Sequence, residues 1–173
     1  MAMSIVGLRA RALPWPIWIR TATIHDVDGL SDHFGTLSQS SRHNRFMGAV
    51  GNFARIAHDC LAPSRSGDRF TLVAETPAHA GHRIVGEASY AFDRDARWGE
   101  FAISVADRWQ RRGLGAALLA AVQARAVSLG YFDLFGETLK TNEAMRRLAC
   151  RAGFATTRAS DWRAVRFDMR LGA

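Results

Sequence analysis

The 173-residue chain is 48% hydrophobic and 23% charged, the balance of a soluble globular protein, and its length suits one domain with a substantial core. Its 23 Lys and Arg against 16 Asp and Glu give a formal charge of +7, almost all of it arginine, because Lys140 is the only lysine. That field suits an anionic ligand, but the basic residues are dispersed and no zinc-finger or helix-turn-helix pattern occurs, so nucleic-acid binding is the weaker reading.

Residues 1–16 read as an extension closed by Leu13-Pro14-Trp15-Pro16, where proline blocks regular pairing. Arg9 and Arg11 break its apolar run short of signal-peptide length. No stretch approaches the roughly 20 apolar residues of a membrane span, so no membrane partner and a cytoplasmic location are expected. A strand at Ile17–Ala22 leads to Thr23-x-x-Asp26, which is similar to a capping box and opens a helix running to about Leu37. Ser38–Ser41 is a polar break. Asn44–Leu61 then has near-helical apolar spacing that Gly48 and Gly51 interrupt, consistent with one helix or two short ones.

After a loop at Pro63–Asp68, Arg69–Glu75 and Arg83–Phe92 read as antiparallel strands, with Trp98–Val105 as a third. A helix over Gly113–Leu129 buries Leu114, Leu118, Val122 and Ala126 and ends at Gly130. Phe132–Thr138 is a strand, Asn142–Ala152 a helix closed by Gly153, and Ala164–Met169 a final strand. Cys60 and Cys150 make neither a disulfide framework nor a metal set and read as buried thiols. His79-x-x-His82 lacks a third ligand, so no metal is expected.

The most informative segment is Val105-Ala-Asp-Arg-Trp-Gln110-Arg-Arg-Gly113-Leu-Gly115, a strand end, a basic turn and the first turn of a helix. A helix N-terminus exposes unpaired N–H groups and about half a positive charge, and glycines there let a phosphate approach the backbone. The Walker pattern is excluded because the turn has no lysine, and the dinucleotide fingerprint fails at Leu118. The segment resembles the acetyl-CoA signature of the GNAT superfamily of N-acetyltransferases, Gln/Arg-x-x-Gly-x-Gly/Ala, met here by Gln110, Gly113 and Gly115. A second element similar to that family lies about 25 residues on, from Asn142 to Gly153-Phe154.

The resemblance covers nearly all the chain after residue 16, as a single domain. It implies an α/β (α+β) fold with a mixed, mostly antiparallel sheet of six to seven strands and about four helices. It also implies acetyl-CoA as co-substrate, bound by the signature residue Gln110, with Ile103 and Val105 pairing with the pantetheine arm and the amides of Arg111, Arg112, Gly113, Leu114, Gly115 and Ala116 around the pyrophosphate. Asn142 matches a pantetheine-binding Asn, although helix capping accounts for it equally on residue type. Arg151 falls where the family is often basic and faces the 3′-phosphate.

Glu100 is the candidate base. A lysine-like ammonium, of pKa about 10.4, must lose a proton before it attacks a thioester. Apolar neighbours on its strand favour a raised pKa, while the competing reading is a solvated glutamate on a half-exposed strand. Gly99-Glu100-Phe101-Ala102, together with Leu37-Ser-x-x-Ser41-Arg42-x-x-Arg45-Phe46, resembles the catalytic domain of bacterial protein lysine acetyltransferases acting on acyl-CoA synthetases. That implies Glu100 as general base, and an acceptor site at Arg42, Arg45 and Phe46 suited to a lysine on an acidic protein surface. Ala149 stands where many superfamily members place an acidic Tyr. The alternatives kept open are a small-molecule amine acceptor and a non-catalytic CoA-binding sensor, as monomer or homodimer.

Overall fold

The computed structural model describes residues 16–62, 68–79, 81–93 and 98–172. Residues 1–15 of the extension at 1–16, and residues 63–67 of the loop at 63–68, therefore lie outside the described residues. Seven strands form one sheet in the order β1-β2-β3-β4-β5-β7-β6: β1 (Trp18–Thr21), β2 (Arg69–Ala78), β3 (Gly81–Asp93), β4 (Trp98–Val105), β5 (Asp133–Leu139), β6 (Ala155–Thr157) and β7 (Ala164–Arg170). Every neighbouring pair is antiparallel except β4 and β5.

Among the described residues five α-helices pack on the sheet: α1 (Val27–Thr36), α2 (Gln39–Phe46), α3 (Phe53–Leu61), α4 (Leu114–Ser128) and α5 (Glu143–Arg151). The apolar stripe of α4, with Leu114, Leu118 and Val122 fully buried, packs with Ile19, Tyr90, Phe101 and Phe167 into the main core. A second core joins Leu30 and Phe34 of α1 to Ala57 of α3 over Val73 and Ile84 of the sheet.

Several boundaries differ from the sequence reading for local reasons. The first helix opens with a tight turn at Ile24–Asp26, where the Asp26 carboxylate accepts the Thr23 N–H at 2.7 Å and two donors of Arg20 at 2.9 and 2.6 Å. The polar break shrinks to Leu37–Ser38, because the Ser38 hydroxyl caps α2 by accepting the Ser41 N–H. Asn44–Leu61 is divided: α2 ends at Phe46, followed by Met47 in the left-handed region, and Asn52 caps α3. The short exposed strand β6 carries no alternation to announce it. Cys150, expected to be buried, is exposed on α5.

The sheet is interrupted at its parallel junction. β4 and β5 pair only at Gly99 with Leu134 and at Glu100 with Phe135, and then part. Phe101 fills the angle, its ring so close to Gly136 that a Cβ there would lie 2.8 Å from it. A residue with a side chain at 136 would push that ring out, so the shape of the parting depends on glycine.

Candidate active site

The parting strands open a cleft of about 850 Å³, running from the α4 N-terminus, between β4 and β5, to the α2 side of the sheet. Its walls include Ile103 and Val105 of β4, Gly136 and Thr138 of β5, and Met145 and Leu148 of α5. On the β4 side the backbone beyond Glu100 pairs only with β3, which leaves its other edge facing the cleft. An extended ligand carrying amides can pair with such an edge as a missing strand would.

At the mouth, the turn before α4 supplies Gln110, Arg111, Gly113, Gly115 and Ala116. Arg111 (φ +58°) and Gly113 (φ +87°) both adopt left-handed backbone at the start of a 15-residue helix, whose first amides have no partner within the helix. Those amides, with the helix dipole, make a site for a phosphate. Arg147 and Arg151 of α5 stand on the opposite wall and add positive charge.

The residues singled out by sequence do not all meet there. Gln110 lines the cleft, but its side-chain amide donates to the Val105 carbonyl and the Ser41 hydroxyl, each at 3.0 Å, so it braces the turn. Leu114 is buried in the main core and offers only its backbone. Arg112 lies outside the lining, its guanidinium 5.6 Å from the Trp109 ring. Asn142 lines the cleft and also caps α5, accepting the Met145 N–H at 3.1 Å and donating to Thr138 at 2.9 Å. The capping alternative is thus realised, with one amide hydrogen remaining.

The positive acceptor face expected of Arg42, Arg45 and Phe46 is not assembled. Phe46 packs edge-on against Phe34 in the second core, and Arg42 donates to the Gly35 carbonyl and lies over Phe53. Arg45 does line the cleft, but its guanidinium is closed on Glu87, at 3.1 and 2.9 Å, and on the Ser89 hydroxyl at 3.0 Å. Sequence reading missed Glu87 because a fully buried acid in an otherwise apolar strand has no periodic signature. Glu87 also accepts from Ser104 at 3.1 Å, and Ser104 in turn contacts His33 at 2.9 Å.

Glu100 projects from β4 onto the same sheet face as Ser104, one pleat repeat beyond Ala102 of the cleft wall. Glu100 is an exposed residue of β4, yet its pKa is raised above the ordinary carboxylate value, first by partial loss of solvent around the carboxyl and then by the charge of Glu137. Arg45 and Arg166 pull the other way. Glu137 lies on the cleft wall, a position its sequence context did not announce. Ala149, where an acidic Tyr was sought, is fully buried.

Comparison with known proteins agrees with this architecture. Residues 43–154 match the model of the Acetyltransferase (GNAT) family, and the chain belongs to that family. It is 28% identical over 145 residues to an acetyltransferase of Pseudomonas aeruginosa, covering 84% of this chain and 78% of that one. The fold is similar to the GNAT domain of S. lividans PAT (TM-score 0.79, 24% identity, 90% of each chain). It is also similar to a ribosomal L7/L12 alpha-N-protein acetyltransferase in complex with coenzyme A (TM-score 0.68, 12% identity, 90% of this chain and 94% of that one). No helix among the described residues is long and apolar enough to cross a membrane.

Proposed function

We propose that the protein transfers acetyl from acetyl-CoA directly to the nitrogen of a primary amine, with a protein lysine as the acceptor. The observation that carries this reading is the cleft that runs from the start of α4 along the open edge of β4 to Ala102, with the Glu100 side chain next in line on the same sheet face. The parting strands, the left-handed turn and the basic wall of α5 fit a ligand with a phosphorylated end and an amide-bearing arm.

In this reading, Arg111 and the amides of Gly113–Ala116 hold the pyrophosphate, with Arg151 toward the 3′-phosphate. Ile103, Val105 and the remaining Asn142 hydrogen hold the pantetheine arm. Acetyl-CoA supplies the activated thioester. Glu100 takes the proton of the acceptor ammonium, directly or through a water, and its raised pKa brings it closer to that task. Gln110 and Asp107 keep the turn in place: Asp107 accepts from the Ser38 and Ser41 hydroxyls and the Ser38 N–H at 2.7–2.8 Å. With no tyrosine at 149, the thiolate departs unaided, which a thiol of pKa about 8.5 tolerates.

The preference for a protein lysine rests on the resemblance of the Glu100 strand and the Ser38–Phe46 segment to lysine acetyltransferases of acyl-CoA synthetases. A small-molecule amine is the second reading, because Arg42 and Phe46 leave the cleft free of the expected protein-recognition face. Incubation with labelled acetyl-CoA, a cell extract and a panel of polyamines and aminoglycosides, read by mass spectrometry, separates the two. Label on protein lysines supports the first reading; label on small amines alone supports the second, and label on neither removes both.

A further inference from the structure

Among the described residues, two carboxylates stand without a hydrogen-bonded or ion-paired partner where β4 and β5 part. Glu100 is opposite Phe135 in the short parallel ladder, and Glu137 follows Phe135 by two residues on the same face of β5, a step of about 7 Å. Among the described residues no hydrogen bond or ion pair reaches either side chain, although the acids around them are engaged. Glu87 is held by Arg45, Asp168 by Arg166 and Thr157, and Asp133 by Arg170.

A cation is available to Glu137 and does not take it. Arg166 is its partner across the β5–β7 ladder, where opposite charges ordinarily join. The guanidinium instead turns along β7 to Asp168, at 2.8 Å, and lies 3.9 Å from the Phe135 ring centroid and 4.2 Å from that of Trp98. Contact with both rings, whose centroids are 5.3 Å apart, fixes it there. Glu137 is thereby left half-buried, on the cleft wall, and unneutralised.

We propose that Glu137 is the acceptor-binding residue of this site, its carboxylate holding the ammonium of a primary amine beside Glu100. The inference rests on the acetyltransferase reading above and names the class of acceptor, a cation rather than an alcohol or a neutral amide. The ammonium gives one proton to Glu100, which passes it to solvent. The nitrogen then forms its bond to the acetyl carbon as the carbon–sulfur bond breaks. The sulfur leaves with the electron pair, and the second nitrogen proton goes to it. The charged groups bearing on Glu100 are Glu137 from β5, Arg45 from α2 and Arg166 from β7.

Two measurements test this, with Nα-acetyl-lysine amide as acceptor and n-butylammonium as a binding probe. Glu137→Gln is expected to raise KM for the acceptor about tenfold, with the KM of acetyl-CoA unchanged, and Glu137→Asp to recover part of the loss. Loss of a like charge must also lower the pKa of Glu100, moving the acid limb of kcat/KM to lower pH. In carbon-13 spectra of the glutamate carboxyls, n-butylammonium is expected to shift Glu100 and Glu137 saturably in the wild type and to fail in Glu137→Gln. An unchanged KM and acid limb, or carboxyl signals indifferent to n-butylammonium, overturns the proposal. If the wild type acetylates no amine yet the carboxyls bind n-butylammonium, the cation site stands and the acetyltransferase reading falls.

Discussion

Arg45 and Glu87 form a two-point ion pair inside the protein, the guanidinium closing on both carboxylate oxygens while Glu87 has no exposed surface at all. Burial alone would lower the pKa of Arg45, and the Glu87 charge more than reverses that, so the arginine stays protonated. The pair ties α2 to β3 at the α2 end of the cleft.

Such a pair is costly to break, because the surviving partner is a buried charge without a counter-ion. Glu87→Ala is expected to cost about 3–5 kcal/mol, and Arg45→Glu at least as much, since it would place two carboxylates in contact. In thermal unfolding that is a fall of roughly 10 °C or more. The double variant Arg45→Met with Glu87→Leu should recover most of the loss, which a double-mutant cycle measures directly. If Glu87→Ala melts within a degree or two of the wild type, the pair is not the tie described here.

The same pair shows where sequence reading ran out. The glycine turn, the long apolar helix α4 and the order of strands were legible because each carries a local signature: turn glycines, a stripe of period 3.6, alternation of period two. Arg45 and Phe46 looked like an acceptor surface because a basic helix with one aromatic reads as solvated. The partners that fix their direction, Glu87 and Phe34, lie 42 and 12 residues away in sequence. Glu137 was illegible for a similar reason: its lack of a counter-ion depends on how Arg166 stacks, a fact of two distant strands.

His33 gives the fold a pH-dependent part of its stability. Its Nε2 lies 2.9 Å from the Ser104 hydroxyl, whose proton is committed to Glu87, so Nε2 must be the donor. Its Nδ1 is buried without a partner. Burial pushes the imidazole down to about 4 from an ordinary 6.5, against the pull of Glu87 and Asp107 and with that of Arg45. The unfolded chain therefore binds the extra proton first. This contribution is complete above about pH 6.5 and is lost as pH falls toward 4, in all about 3 kcal/mol. His33→Gln, which keeps a donor for Ser104, should flatten denaturation midpoints between pH 6.5 and 4; an unchanged slope would remove His33 from the account.

Acetyl-CoA should raise the melting temperature of the wild type, because any ligand of the native state stabilises it by mass action. Gly115→Glu puts a negative side chain among the amides before α4. A Cβ at this position would lie 3.4 Å from a methyl of Leu148, so the fold should accept it with a small adjustment. The thermal shift should then vanish, while Gly115→Ala keeps most of it. A full shift in Gly115→Glu would move the phosphate site away from this turn.

The role of Glu100 is separable from binding. Glu100→Gln preserves shape and removes the proton acceptor, so kcat should fall roughly 10²–10⁴-fold while the acetyl-CoA thermal shift stays near that of the wild type. Because partial loss of solvent and Glu137 raise the Glu100 pKa, the wild-type kcat/KM should rise with pH through an ionisation above the ordinary carboxylate value. That limb reflects the carboxyl becoming ionised and able to take a proton, and it should be absent in Glu100→Gln. High pH should restore part of the variant's rate, since a growing fraction of the amine is then neutral without a base. A variant with wild-type turnover and an intact acid limb would return Glu100 to an ordinary solvated strand position. Glu137, a carboxylate on the cleft wall, would then be the base to test next.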